Sequence, residues 1–485
     1  MSSNLAPRAL AVAEVVADWI AGTRTSDLTP AVVETARALV VDVVGLCVAA
    51  RHESYVEATR TSADGGSGCT AFGHAGSVGA FDAALINGTA AHGEDFDDTF
   101  EGGPVHSGAV IVPAVVAACE REGLGGDRVL LGIATGVELM CRLSLVAPTA
   151  THKAGFHPTA VFGALAAAGG VSAALGLTAR DVVSALGIAG SMASGIIEYL
   201  AEGTWTKRMH AGWAAQSGLR AALMARGGFL GPRTVLDGTH GFYKAFAPSI
   251  PPDYTRLLNG LGTRWVMETV AFKPYACGTM TQPFIDCALA LALALARTGI
   301  SASDIRAIEC EVAEGTVHRL WEPLSSKHLP PTPYAAKFST PFCMAVGFLD
   351  GKAGFAQFTD ARIQDMAVRD LAAKIHYVIN PHDAYPRNFS GHLRATMVDG
   401  STREFRQPHM RGGAHDPLAP GEIAAKFVEN VRYGGWSGEQ AARFLQYVGS
   451  TVAGSTIEGS TRAGSAVADS MFTEPRLDGL MEFRG

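Results

Sequence analysis

The chain has 485 residues, 48% of them hydrophobic and only 18% charged, with a formal net charge of −7. That length buries a large core and accommodates two or three domains, while the acidic balance speaks against a nucleic-acid partner, which a basic excess or stripe would mark. Eight scattered cysteines with no C-x-x-C pair exclude a disulfide framework and read as buried free thiols of a reducing, cytoplasmic compartment. The first residues lack the basic-then-apolar pattern of a signal peptide. Gly, Asp or Arg interrupts the apolar stretches, so neither a transmembrane helix nor a membrane partner is expected.

In chain order, the first 250 or so residues read as helix after helix. Thr29-Pro30 is a helix start, a capping hydroxyl before Pro at the first helical position. Behind it Val32, Val33, Ala36, Leu39, Val40, Val43, Val44 and Cys47 recur at helical spacing. Further helices are expected over 80–92, 107–122, 127–143, 158–175, 179–200 and 211–226, the fifth opened by a capping box at Thr178-Ala-Arg-Asp181. The 162–175 stretch is Ala/Gly-rich on all sides, which predicts a buried central helix within a bundle.

The pattern changes near residue 265. Alternation within 304–312 reads as a half-buried strand, and 391–398, Asp399-Gly400 and 401–407 read as a hairpin with Asp-Gly at its turn. Two helical stretches, 340–349 and 363–375, lie between them, and helical periodicity returns over 422–431 and 439–448. The expected fold is therefore mainly α: a large helical domain, discontinuous in sequence (1–264 and 411–448), with a smaller α+β domain (265–410) inserted. The Gly/Ser/Thr-rich stretch 449–465 opens a segment to 485 expected to be a flexible tail.

The chemistry concentrates in Ala91-His92-Gly93-Glu94-Asp95-Phe96-Asp97-Asp98-Thr99, where four acids fall within five residues beside an apolar run. Acids this close repel, so in a folded chain they must be paired, hydrogen-bonded or protonated. Such crowding is kept either at a working site or as a structural network of caps and salt bridges to Arg or Lys, and the run alone leaves both readings open. Four further clusters qualify: His106-Ser107-Gly108 opening a helix whose N-terminal amides suit an anion, Thr151-His152-Lys153 running to His157-Pro158, Thr204 to His210 with Lys207-Arg208, and Lys273-Pro274-Tyr275-Ala276-Cys277-Gly278. Taken singly, each is as readily a cap or a solvated surface pair. Together they supply what proton transfer beside a carboxylate requires: a group that carries the proton, and cations and helix dipoles that hold the negative charge. No P-loop, H-E-x-x-H, zinc-type Cys/His spacing or G-x-S-x-G elbow is present. A metal held by His106 with Asp95 or Asp97 has no complete ligand set in the sequence, so none is expected.

Several ordered motifs carry a resemblance: Asn87-Gly88-Thr89-Ala90-Ala91-His92 leading into Asp95-Phe96-Asp97-Asp98-Thr99, then His106-Ser107-Gly108, Gly155-Phe156-His157-Pro158-Thr159, Lys207-Arg208-Met209-His210-Ala211-Gly212-Trp213, and Ala336-Lys337-Phe338-Ser339. In these the chain resembles the MmgE/PrpD family, which includes 2-methylcitrate dehydratases, cis-aconitate decarboxylases and iminodisuccinate epimerases. The resemblance implies a helical domain with a smaller α+β lid, a homodimer, a site in the cleft between domains, a small polycarboxylate substrate and no organic cofactor. It places the site on Asp95, Thr99, His106, His157 and Lys207, with Arg208, His210, Lys273 and Gly278 as further substrate contacts. Cis-aconitate decarboxylases carry a histidine where this chain has Gly278, and many members carry one at the position of Gln282.

On this basis a cofactor-independent lyase of the dehydratase kind is expected, with decarboxylation or epimerisation as alternatives and a non-catalytic carboxylate binder as the rival of another class. The expected roles are His106 and His157 as an acid/base pair titrating near neutral pH, Asp95 orienting one of them, Thr99 bonding substrate, and Lys207 with Arg208 or His210 holding a carboxylate.

Overall fold

The computed structural model describes residues 9–449 and 470–484 and is mainly α with two small sheets. Its principal helices and strands are α1 Val12–Gly22, α2 Pro30–Ala50, α3 Ala80–His92, β1 Thr99–Phe100, α4 Gly108–Glu122, α5 Gly126–Leu145, α6 Pro158–Leu175, α7 Ala179–Met192, α8 Thr206–Arg226, β2 Val270–Ala271, α9 Gln282–Ala296, β3 Ile305–Val312, α10 Thr340–Asp350, α11 Met366–Ala372, β4 Ile375–Ile379, β5 Gly391–Met397, β6 Thr402–Gln407, α12 Pro420–Tyr433 and α13 Gly438–Val448.

Local chemistry sets many of these bounds. Thr29 Oγ1 accepts from Val32 N at 3.1 Å and Pro30 opens α2. Thr178 caps α7 in the same way through Asp181 N at 3.3 Å. Every residue of α6 from Pro158 to Ala174 is buried, as its composition predicts, and α5, α7 and α8 pack around it. Small residues permit the closest approaches: a Cβ on Gly88 would sit 2.6 Å from Gly212 Cα, so only glycines let α3 and α8 meet there. That contact carries the end of α3 and the start of α8 to the same place.

By length and composition two helical segments suit a membrane span, Pro158–Leu175 and Thr279–Ala296, so apolar stretches are not all cut short as the sequence reading had it. The first is 94% and the second 50% buried inside the protein.

The four-stranded sheet has the order β4-β3-β5-β6, with β3 parallel to β4 and antiparallel to β5, and α9 packs against β5, β6 and α10. Alternation in β3 buries Ile308, Cys310 and Val312, and the β5–β6 turn carries Gly400 at φ +87°. The helix expected over 363–375 divides instead. Asp365 ends one short helix and caps α11 through Ala367 N at 2.8 Å, and from Ile375 the chain is a strand. Likewise α7 stops at Met192 rather than 200, because Gly195 turns at φ +124° and the chain crosses to bond the 155–157 segment. The last large helix of the first half starts at Thr206, five residues before 211.

Beyond the sheet, α12 returns to pack on α2. Of the expected flexible tail, 450–469 lies outside the described residues, whereas 470–484 is packed: Met471, Phe472, Leu477, Leu480 and Phe483 are buried against α5 and α13. Residues 470–484 lie beyond the Gly/Ser/Thr-rich stretch and carry these five apolar side chains, which the compositional reading of the tail did not separate out.

Candidate functional site

The site is built on loop 93–98. Its Asp95 adopts φ +55°, a left-handed conformation uncommon for a residue with a side chain. The antiparallel pairing of Thr99 with Ala271 in β1–β2 then ties the loop to the second half of the chain. All four acids are buried, at 8% exposure for Glu94, 3% for Asp95 and none for Asp97 and Asp98. Each has partners. Glu94 meets Arg208 Nη1 at 3.2 Å and Lys337 Nζ at 3.1 Å. Asp95 is salt-bridged to Lys207 and accepts Tyr334 Oη–H at 2.7 Å. Asp97 meets His92 Nδ1 at 2.6 Å, His106 Nδ1 at 3.5 Å and Lys273 Nζ at 3.8 Å. Asp98 accepts from Ser107 N, Ser107 Oγ and Gly108 N at 2.8–2.9 Å. The N-terminal amides of α4, expected to suit a ligand anion, therefore serve the chain's own carboxylate.

Burial opposes ionisation of Asp95, but the Lys207 and Lys273 ammonium groups outweigh it and hold the carboxyl well below its usual range. Asp97 is held low in the same sense, burial being outweighed by His106, His92 and Lys273. Asp98 goes the other way, pushed up to about 7 by burial and the neighbouring Asp97 charge.

Beside this loop four imidazoles form a row. His92 closes α3, His106 precedes α4, His157 is the residue before Pro158 of α6, and His210 stands one turn after Lys207 on α8. Ring centroids are 5.0 Å apart for His92 and His106, 5.4 Å for His92 and His157, and 5.3 Å for His157 and His210, with the Tyr199 ring edge-on to the last two. Burial pushes His106 down to about 3 and His210 to about 4, and drives His157 well below its ordinary value. These three are neutral at pH 7, which corrects the expectation of a pair titrating near neutrality. His157 Nδ1 and His210 Nδ1 lie 3.2 Å apart, so one carries a proton and the other accepts it.

Geometry also reassigns several expected roles. Asp97, not Asp95, faces the histidines. Arg208, lying between the rings of Tyr55 and Tyr334 at 4.3 and 4.1 Å, is engaged by Glu94 and is not a free carboxylate clamp. Lys207 lies over the Phe338 ring at 5.3 Å as well as on Asp95. Lys273 Nζ donates to Asp95 O at 3.0 Å. Thr99 is buried in β1. Gly278, whose N–H donates to Lys337 O at 2.9 Å, has room for a side chain beside Phe338 and Leu320. Gln282 is buried, donating to the Tyr275 and Cys277 carbonyls, with Oε1 unpartnered. Of the aromatic residues in reach, Tyr199 joins the row, whereas Tyr275 bonds Asp286 and Trp321 packs on Phe284 and Tyr377 in the core. An open cavity of 610 Å³, lined by Tyr199, Met209, His210 and Trp213 among others, adjoins the row.

His92, Asp97 and His106 offer ligand atoms within 4.8 Å of one another. The donor set suits a metal poorly: His92 Nδ1 is taken by Asp97 and His106 Nδ1 by Asp98 O, each at 2.6 Å, and the Lys273 ammonium 3.8 Å from Asp97 Oδ1 supplies positive charge there.

Sequence reasoning passed over His92, Tyr334, Lys337 and Lys426. The first and third sit inside quoted motifs, so their signal was at hand. Tyr334 carries no pattern of its own, and Lys426 falls on an amphipathic helix where a lysine reads as solvent-facing.

Residues 14–255 match the MmgE/PrpD N-terminal domain and residues 275–447 the MmgE/PrpD C-terminal domain. Among curated relatives, cis-aconitate decarboxylase of Aspergillus terreus is 29% identical over 442 residues, covering 86% of this chain and 88% of the relative. Cis-aconitate decarboxylase of Homo sapiens is 30% identical over 362 residues, 72% of each chain, and that of Mus musculus 29% identical over 360 residues, 72% of this chain and 71% of the relative. With both domains matched in order and the motif residues gathered around one buried loop, the chain belongs to the MmgE/PrpD family.

Proposed function

We propose that the protein is a carboxy-lyase acting on a cis-aconitate-type polycarboxylate by proton transfer at carbon, without an organic cofactor. The observation that carries this reading is the row of buried imidazoles, three of them (His106, His157 and His210) held neutral by burial, with His92 locked onto Asp97 at 2.6 Å. A neutral imidazole both donates and accepts, and a bound anion raises its affinity for a proton. In decarboxylation the electron pair of the breaking C–CO2 bond forms a new double bond to the adjacent alkene carbon, and the π pair of the original double bond moves away from that carbon. The carbon at its far end then takes the proton, and CO2 leaves. His106 and His157 are the proposed proton carriers, with His210 exchanging a proton with His157 through the Nδ1 pair. Lys207 holds a substrate carboxylate, releasing part of its contact with Asp95, and Lys273 and Thr99 line the same wall.

The names of the relatives favour decarboxylation over the dehydration first expected. One observation keeps dehydration as a second reading: Gly278 leaves without a side chain the position where decarboxylases of the family carry a histidine. The proposed site is the place where residues 92–106, 157 and 207–210 approach 273–278 and 334–337, an arrangement that supports reading 265–410 as a lid on the helical part. Exposed Ile196, Leu200, Trp205 and Trp213 beside the cavity support a second copy as partner, and eight buried, unbridged cysteines support a reducing compartment such as the cytoplasm.

The test is a panel of cis-aconitate, citrate, 2-methylcitrate and amino-dicarboxylates with the purified protein, following CO2, alkene and stereochemistry by NMR. Release of CO2 from cis-aconitate supports the proposal, loss of water from a hydroxy acid selects dehydration, and binding without turnover selects the non-catalytic rival.

A further inference from the structure

Loop 93–98 turns through a left-handed residue between α3 and β1, and its backbone carbonyls lie where water does not reach. A buried carbonyl needs a donor. Three successive ones receive theirs from three buried lysines far apart in sequence: Glu94 O from Lys337 Nζ at 3.1 Å, Asp95 O from Lys273 Nζ at 3.0 Å, and Phe96 O from Lys426 Nζ at 2.7 Å. Each ammonium has a second anchor. Lys337 reaches Ala276 O at 3.3 Å, Lys273 lies 3.8 Å from Asp97 Oδ1, and Lys426 pairs with the buried Asp42 of α2 at 2.7 Å while its Nζ sits 4.0 Å from the Phe96 ring centre.

Resting on the reading of this loop as part of a proton-transfer site, we propose that Lys426 is a positioning residue: with Lys337 and Lys273 it forms a cradle that holds loop 93–98 in its kink, so that the Asp97 carboxylate meets His92 and His106. A left-handed non-glycine residue is strained and persists only where its surroundings over-determine it. Hydrogen bonds from a charged donor are stronger than neutral ones and suit that task. The returning helix α12 thereby reaches the site through the backbone of Phe96, and Lys426 acts through Asp97 rather than on substrate.

Two variants separate positioning from mere stability. Lys426→Met strands the Asp42 charge in the core and lowers the melting temperature. Asp42→Asn/Lys426→Met removes that stranded charge, so thermal stability recovers. In the double variant the cradle is still broken: kcat with cis-aconitate stays at least about tenfold down, with KM nearly unchanged, as expected when a reacting group is misplaced. A readout independent of turnover is the low-field proton resonance of the short His92–Asp97 hydrogen bond, which shifts or vanishes in the folded double variant. If wild-type protein turns over none of the acids tested, this resonance alone decides the proposal. Retention of wild-type kcat, or an unaltered resonance, in the folded double variant overturns it.

Discussion

Two walls of the same site differ in kind. On one, loop 93–98 packs four acids, and every carboxylate has a hydrogen-bonding or ionic partner within 3.2 Å. On the other, residues 273–282 leave Gln282 Oε1 without a partner and Gly278 with space beside it. A network in which every carboxylate has a partner holds one geometry, even with Asp97 Oδ1 and His92 Nε2 free of hydrogen bonds, since removing a partner strands a buried charge. The uncharged Gly278–Gln282 stretch, with room beside Gly278, tolerates exchange. Under the proposed function, the first wall carries the proton chemistry and the second the choice among substrates and reactions.

The largest expected effects come from breaking the first wall. His157→Asn and His106→Asn should each lower kcat about a hundredfold or more, the scale of losing a proton carrier. The double variant should be little worse than the worse single one, because groups acting as a unit are not additive. Circular dichroism confirms folding, and near-normal turnover by either folded single variant removes that residue from the role. Next is Lys207→Ala, which takes a charge-assisted contact worth roughly 1.5–3 kcal/mol from a substrate carboxylate. It should raise KM about ten- to a hundredfold and also lower thermal stability, since Asp95 loses its counter-ion. Unchanged KM would place Lys207 with the structural pairs.

Exchange on the second wall should be milder. Gly278 has φ −54°, open to any residue, and a Cβ there would stand 3.4 Å from Phe338. Gly278→His should therefore fold with a melting temperature close to wild type while changing the ratio of kcat for cis-aconitate to that for hydroxy acids. A large drop in stability would show that the space is needed.

The pH dependence sharpens the same contrast. Burial lowers His106 and His210 to about 3 and 4, so in the free enzyme both have lost their proton by pH 5, and it lowers His157 well below its ordinary value too. As pH falls through those values the folded site resists protonation that the unfolded chain, near 6.5, accepts. The three histidines therefore withdraw stability progressively below about pH 6.5. The profile of kcat/KM, which reports free-enzyme groups, should show no limb from His106 or His210 between about pH 5 and 8. A limb near 6.5 that disappears in His106→Asn would restore the titrating pair first expected. Smallest of all, dialysis against EDTA should leave activity unchanged, and loss with recovery on adding a divalent cation would make His92, Asp97 and His106 a metal site.

Much of the fold was legible where local chemistry is strong. Pro158 and Gly176 punctuate α6, and Asp399-Gly400 fixes the hairpin. What failed was decided by tertiary contact. The 375–379 strand forms because β3 offers a parallel edge, and α7 ends early because its chain turns to meet His157. Within the site, the motif residues Asp95, His106, His157, Lys207 and His210 do gather, but their partners were not readable. Whether Asp95 or Asp97 faces the histidines depends on the left-handed turn at Asp95, and the burial of Lys426 depends on α12 docking on α2.

The most direct measurement follows deuterium. With cis-aconitate in D2O, the wild-type protein should release CO2 and place one deuterium on carbon per turnover, detected by NMR. His157→Asn should bind the same acid with similar affinity by calorimetry and do neither at more than about one per cent of the wild-type rate. CO2 release at an undiminished rate by the folded His157→Asn protein, with the same deuterium at carbon, would contradict proton transfer through the imidazole row.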